Sequence, residues 1–166
     1  MKVASAIALL LSGISANAAD IALEAGVAKV EITPTFNGPM YGYSNRKCGP
    51  SNGTHDPLFA KALVLRTGDS AVAIVTLDLG SIVSESLTRE VANKLRIPAL
   101  LLSASHTHSA PSFLPYTGGP ATEPNPYSHE LERKVFSAVE QAGKSMFPAR
   151  LSVARGSIQL GYNRLL

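Results

Sequence analysis

Cysteine and charge are both scarce in this sequence, and the two scarcities exclude several classes of protein. Cys48 is the single cysteine among 166 residues, so the chain forms no internal disulfide. It has no histidine beside it, and we interpret it as a loop cysteine, not a nucleophile. Charged residues make up 16%, the net charge is +3, and the basic residues are scattered. Nucleic-acid binding is not expected, because it needs clustered positive charge to displace counterions from phosphates.

Long hydrophobic runs are also few. The longest apolar stretch, residues 3–14, is too short to span a bilayer comfortably. It follows Lys2 and precedes Ala16-Asn17-Ala18, which fits a signal-peptidase cleavage site. We therefore predict that residues 1–18 are a cleaved signal peptide and that the chain is exported, to a periplasm or to the medium. An N-terminal anchor or a buried helix is the alternative interpretation.

The remaining residues, 19–166, are expected to form one globular domain, because 45% of the chain is hydrophobic. Apolar patterns predict strands over 24–32, 59–65, 71–79, 99–104 and 150–160, the last with a bulge at Gly156, and helices over 84–95 and 126–146. The second and third strands are close enough to form a hairpin, and the helix between residues 79 and 99 suits a parallel crossover. The predicted fold class is α/β: a mixed sheet with a parallel strand–helix–strand unit, flanked by helices.

Two of these strands, 71–79 and 99–104, are almost uninterrupted apolar runs, which is typical of strands buried on both faces. The helix that joins them has clear boundary signals. Ser84 can cap it, Glu85 suits its positive end and Pro98 stops it.

Two segments, residues 35–57 and 109–126, are predicted to be long loops. Loops of this length are usually functional or disordered. The first contains Tyr41-Gly42-Tyr43, and its two tyrosines and nearby Met40 indicate a loop that packs on something.

His106 and His108 are the strongest candidates for chemistry. They follow the predicted strand 99–104, and in extended backbone residues i and i+2 point to the same side. Both imidazoles could bind one metal ion, or one could bind metal while the other handles a proton. The hydroxyl groups of Ser105, Thr107 and their neighbours could orient the rings.

Other polar residues are weaker candidates. Asp78 ends a buried strand whose carboxyl edge should lie beside that of 99–104, where open α/β sheets place their sites. It could bond a ligating histidine or a substrate, or it could organise the loop. His55 could line a site, whereas Asp56 is interpreted as a turn residue. His129, in the first turn of the long helix, is expected to be a solvated surface residue.

Several motifs in this order resemble the N-terminal part of the neutral/alkaline non-lysosomal ceramidases. The resemblance covers nearly the whole mature chain, and its most specific part is His-Thr-His-Ser. The segments that carry it are Ala25–Pro34, Met40–Tyr43, Asn52–Leu58, Thr76–Leu79, Leu102–Pro111 and Tyr162–Arg164.

The resemblance implies a zinc-dependent amidase that splits ceramide, or a similar lipid-like N-acyl substrate, into a fatty acid and sphingosine. Carried over by position, His106 matches a zinc ligand, His108 a catalytic histidine and Arg164 an arginine that lines the active site. Such a substrate implies possible peripheral contact with a membrane; the oligomeric state stays open.

The sequence departs from the family pattern in two ways. Ala110 stands where glycine is usual, and glycine tolerates backbone angles that alanine does not. The family's other zinc ligands, a second histidine, a glutamate and a tyrosine, lie far downstream of the segment present here. We therefore expect the chain to be an N-terminal part, incomplete relative to the full family domain, with little activity of its own. The alternatives are an inactive product or binding module of the same fold, and an esterase-type metallohydrolase on that scaffold.

Overall fold

The structure is a computed structural model that describes residues 22–43, 49–113 and 126–161. Within these residues a five-stranded sheet has the strand order β4-β3-β2-β1-β5. In chain order the elements are β1 (Glu24–Glu31), β2 (Phe59–Thr67), β3 (Ser70–Leu77), α1 (Glu85–Leu95), β4 (Ala99–Ala104), α2 (Pro126–Lys144) and β5 (Met146–Pro148).

The sheet is mixed, which confirms the predicted fold class. β2 and β3 form the expected antiparallel hairpin, and β1 pairs with β2 and with β5, also antiparallel. β3 and β4 are parallel and are joined by α1, so the strand–helix–strand unit is confirmed. Neither of the two helices in the described parts of the chain is long and apolar enough to cross a membrane.

Both helices lie on one face of the sheet and form the core with it. α2 packs on β1 and β2, while α1 packs on β4 and α2. The hydroxyl of Tyr127 donates a 2.6 Å hydrogen bond to the carbonyl of Ile32, which fixes α2 to the end of β1. Burial, and to a lesser degree the charge of Glu130, raises the pKa of this phenol above its usual range. Fully buried members of the core include Val64, Val75, Leu77, Leu87, Val91, Leu131, Val135 and Val139.

The opposite face of the sheet is open among the described residues, so the expectation that two strands are buried on both faces was wrong. The strand register places Val27, Leu63, Ile74 and Leu101 in one row across this face. Val27 is 57% exposed and Leu101 54%. β4 is moreover an edge strand, and its residues alternate between exposed and half-buried.

The boundary signals of α1 act as predicted. The Ser84 side chain accepts a 3.1 Å hydrogen bond from the amide of Leu87. This bond satisfies one of the amides left without a partner in the first turn. The helix ends at Arg96, which adopts a left-handed conformation with φ 57°.

The carboxyl-terminal part of the chain differs from the predictions. α2 ends at Lys144, two residues before the predicted end, because Met146 begins the short strand β5 beside β1. The predicted strand over 150–160 is absent from the described residues: this segment pairs with no strand and is exposed throughout. Its alternating apolar residues have the strand period but lack a partner. They are Leu151, Val153, Ile158 and Leu160.

Three predictions concern segments outside the described residues. These are the signal peptide over 1–18, the loop cysteine Cys48 and the active-site arginine Arg164.

A matched pair of substitutions tests which face of the sheet holds the core. Val64→Ala removes buried methyl groups from the helix-covered face and should lower the free energy of unfolding by about 2 kcal/mol. Val27→Ala, in the neighbouring strand but on the open face, should change it by less than about 0.5 kcal/mol. Urea denaturation of both variants measures the difference, and equal losses would contradict the assignment of faces.

Candidate active site

The candidate site begins where β3 and β4 end side by side. Leu77 and Ala104 are paired in the parallel register, so the loops that follow leave the sheet at the same edge. The amide of Ser105 donates to the carbonyl of Leu77 at 3.0 Å, and the Ser105 hydroxyl donates to the carbonyl of Leu79 at 3.4 Å. The strand pairing thus continues into the loops and fixes the segment 105–109 against the segment 78–80.

His106 is held by a main-chain carbonyl. Its Nδ1 lies 3.0 Å from the carbonyl oxygen of Gly80. A carbonyl oxygen can only accept, so Nδ1 carries the proton and Nε2 of the neutral ring keeps a free lone pair. Two of the flanking hydroxyls have main-chain partners: Ser105 donates to the carbonyl of Leu79, and Thr107 accepts from the amide of Ser109.

The two histidine rings meet, although the backbone between them is not extended. Their centroids lie 5.1 Å apart, so the predicted proximity of His106 and His108 is confirmed. The proximity was predicted from extended backbone, and this reason was wrong, because His106 has φ 60° in the left-handed region. A residue other than glycine pays an energetic cost there, and such strain often accompanies functional sites.

The loop presents two different faces. Ser105, Thr107 and Ser109 line a cleft of about 660 Å³, whereas the imidazoles of His106 and His108 pack with Tyr41 and Tyr43. The cleft has both polar and apolar walls, and its other lining residues include Phe36, Asn37, Met40, Leu58 and Asp78.

The predicted long loop around Tyr41 packs on the histidine loop. The amide of Tyr41 donates to the carbonyl of Ala110 at 2.9 Å, and Met40 forms an isolated antiparallel bridge with Pro111. Ala110 is fully buried and does not have a positive φ. Alanine therefore fits at the position where glycine was expected.

Two positions in the site require glycine because an aromatic or imidazole ring lies too close for a Cβ atom. Gly42 has φ 77°, and a Cβ there would overlap the His108 ring. A Cβ at Gly80 would overlap the ring of Tyr41. The sequence indicated that the Tyr41-Gly42-Tyr43 loop packs on something, but nothing local to it identified the two histidines as the partner.

The weaker candidates lie in different places. Asp78 accepts a 3.0 Å hydrogen bond from the amide of Phe59, so it ties the loop that follows β3 to the start of β2. His55 and Asp56 form an exposed 2.7 Å pair with each other and line the cleft, apart from the two site histidines. His129 is exposed on α2, as expected.

Two solved structures are similar to this fold: a ceramidase complexed with C2, and neutral ceramidase from Pseudomonas aeruginosa. Both have a TM-score of 0.62 and 22% sequence identity over 78% of this chain. The chain has the fold of part of a neutral ceramidase. It spans only 22% of the length of each of these ceramidases. No protein-family model matches the sequence.

A substitution at Gly42 tests the packing of the two loops. Gly42→Ala should lower the free energy of unfolding by roughly 1–2 kcal/mol, because alanine is strained at positive φ. It should also displace the His108 ring, which NMR of the imidazole protons detects. Gly53→Ala is the matched control, since a Cβ there meets nothing within 4 Å. Unchanged His108 signals in Gly42→Ala would contradict the described packing.

Proposed function

We propose that this chain supplies part of the active site of a ceramidase-like, zinc-dependent amide hydrolase. The reaction would split an N-acylsphingosine into a fatty acid and sphingosine. The hydrogen bond from His106 Nδ1 to the carbonyl of Gly80 is the observation that carries the proposal. Metal-binding histidines commonly donate their second ring nitrogen to a carbonyl or carboxylate, which directs the other nitrogen at the metal. The ceramidase fold and the His-Thr-His-Ser motif support the same assignment.

The donors on this chain fit a zinc site in part. His106 Nε2 is free to act as a neutral imidazole ligand, the form that zinc prefers. Within the described ranges, no three histidine, cysteine, aspartate or glutamate side chains come together. A catalytic zinc site uses about three protein ligands and one open position. The proposal is therefore that His106 is one ligand of a site whose other ligands lie outside the described residues.

His108 is assigned a separate role. A bound zinc ion supplies Lewis-acid chemistry, polarising a carbonyl oxygen and making water nucleophilic near neutral pH. His108, whose ring centroid is 5.1 Å from that of His106, would donate a proton or hydrogen bond as negative charge develops on the scissile amide. Arg164, which lies outside the described residues, would add a fixed positive charge, as the family resemblance implies.

The substrate class, an N-acyl lipid, follows from the same likeness and from the family resemblance. One of the two similar structures is a ceramidase complexed with C2. The cleft beside Phe36, Met40 and Leu58 carries no part of this assignment, because its lining does not include His106 or His108. Export by the signal peptide over 1–18, and peripheral contact with a membrane that holds the substrate, belong to the same proposal.

A second candidate is a binding module of the same fold that has no activity. The exposed sheet face and the absence of a three-donor group among the described residues favour it. An esterase-type metallohydrolase would use the same histidines on an ester. Metal content and hydrolysis of amide and ester analogues distinguish these possibilities.

Zinc titration of histidine variants tests the ligand assignment. In a version of the protein that also carries the remaining ligands, His106→Ala should weaken zinc binding by at least about tenfold, since it removes a ligand nitrogen. His108→Ala should weaken it much less, because that ring is assigned to proton transfer. His129→Ala removes an exposed histidine on α2 and is the matched control. Isothermal titration calorimetry with zinc measures all three, and equal affinities for His106→Ala and His129→Ala would refute the assignment.

The 166-residue chain by itself is expected to release little or no fatty acid from ceramide. The physical reason is that one ligand does not hold zinc in an open catalytic geometry. The measurement is metal-dependent release of fatty acid, with chelator-treated protein as the blank. Substantial zinc-dependent release would show a more complete site than the one proposed here.

A further inference from the structure

The ring of Tyr41 packs against both site histidines, which also contact each other. Its centroid lies 5.5 Å from that of His106 and 5.5 Å from that of His108. The interplanar angles are 76° and 72°, so both contacts are edge-to-face. Aromatic rings prefer this arrangement because the positive edge of one meets the negative face of the other.

Tyr41 is itself fixed on two sides. Its amide donates to the carbonyl of Ala110, which anchors its backbone to the strand-like end of the histidine loop. Its ring lies so close to Gly80 that no side chain fits at that position. Gly80 is also the residue whose carbonyl accepts from His106 Nδ1. The same residue thus makes room for the tyrosine and determines the tautomer of the histidine.

We propose that Tyr41 is a positioning residue for the two histidines. The ring restrains rotation of the His106 imidazole, which keeps Nδ1 on the Gly80 carbonyl and Nε2 available to a ligand. It also keeps the His108 ring at a fixed separation from His106. Among the described ring contacts of the two histidines, Tyr43 packs on His108 and not on His106, with ring centroids 4.7 Å apart, and so restrains one member of the pair.

The role in metal binding rests on the proposed function, but the role in holding the tautomer does not. His106 is exposed, and an exposed imidazole without a packed neighbour rotates and populates both tautomers. The neighbouring ring therefore restricts a motion that a single hydrogen bond to a carbonyl would leave partly free.

The test uses nitrogen-15 NMR of the metal-free chain at about pH 8, above the ordinary pKa of histidine, where neutral imidazoles dominate. In the wild type, His106 should show the Nδ1–H tautomer. Tyr41→Phe keeps the ring and should preserve this signature. Tyr41→Ala should give a mixture of tautomers for His106 and shifted signals for His108. Tyr41→Leu, which retains most of the volume but no aromatic ring, should also give a mixture. It provides the test if the alanine variant does not fold.

Tyr43→Ala is the matched comparison and should alter His108 while leaving the His106 tautomer unchanged. Zinc titration of a version that also carries the remaining ligands then extends the test. There Tyr41→Ala should bind zinc about tenfold more weakly, as for the loss of other groups that orient a ligand, and Tyr41→Phe as tightly as the wild type. A pure Nδ1–H tautomer in both Tyr41→Ala and Tyr41→Leu would overturn the proposal. A tautomer change in the Tyr41 variants, with no zinc binding by the version that carries the remaining ligands, would uphold the positioning role and refute the zinc assignment.

Discussion

The parallel pairing of β3 and β4 is the interaction on which the candidate site depends. Because the two strands run in the same direction, both following loops leave at one edge, and the pairing continues through the bond from Ser105 to Leu77. This places the Gly80 carbonyl within hydrogen-bonding distance of His106. A change of register by one residue would turn every side chain of β4 to the other face and separate the two loops.

The second loop, around Tyr41, is attached by main-chain bonds. The Tyr41 amide donates to the Ala110 carbonyl, and the Ser112 amide donates to the Pro39 carbonyl. Attachment of this kind allows a glycine-rich segment to approach the histidines closely, since Gly42 and Gly80 remove the side chains that would collide. Left-handed backbone at His106 and at Tyr43 adds local strain on both sides of the contact. The packing of the core beneath, centred on α1 and α2, compensates for this cost.

The likeness to neutral ceramidase concerns a single sheet with helices on one face. The match covers 78% of this chain but 22% of each ceramidase, and one face of the described sheet carries no helix. In the row across this face, Val27 and Leu101 are exposed, whereas Leu63 and Ile74 are half-buried. The exposed residues of 150–160 keep a strand's alternation without a strand beside them. The open face of the sheet and the segment 150–160 therefore both expose apolar side chains.

The sequence alone determined the helices, four of the strands and the pair His106 and His108, because local periodicity and capping signals act over a few residues. Local patterns could not determine what packs on or beside each strand. The apolar runs of β3 and β4 predicted burial on both faces, but one face of each is open. The alternation after Pro148 predicted a strand, but no neighbouring strand pairs with that segment among the described residues. The tertiary structure alone decided that Gly80 orients His106 and that the Tyr41 ring packs on both histidines. These contacts join residues 26 to 67 positions apart, and only the folded chain brings such residues within reach of each other.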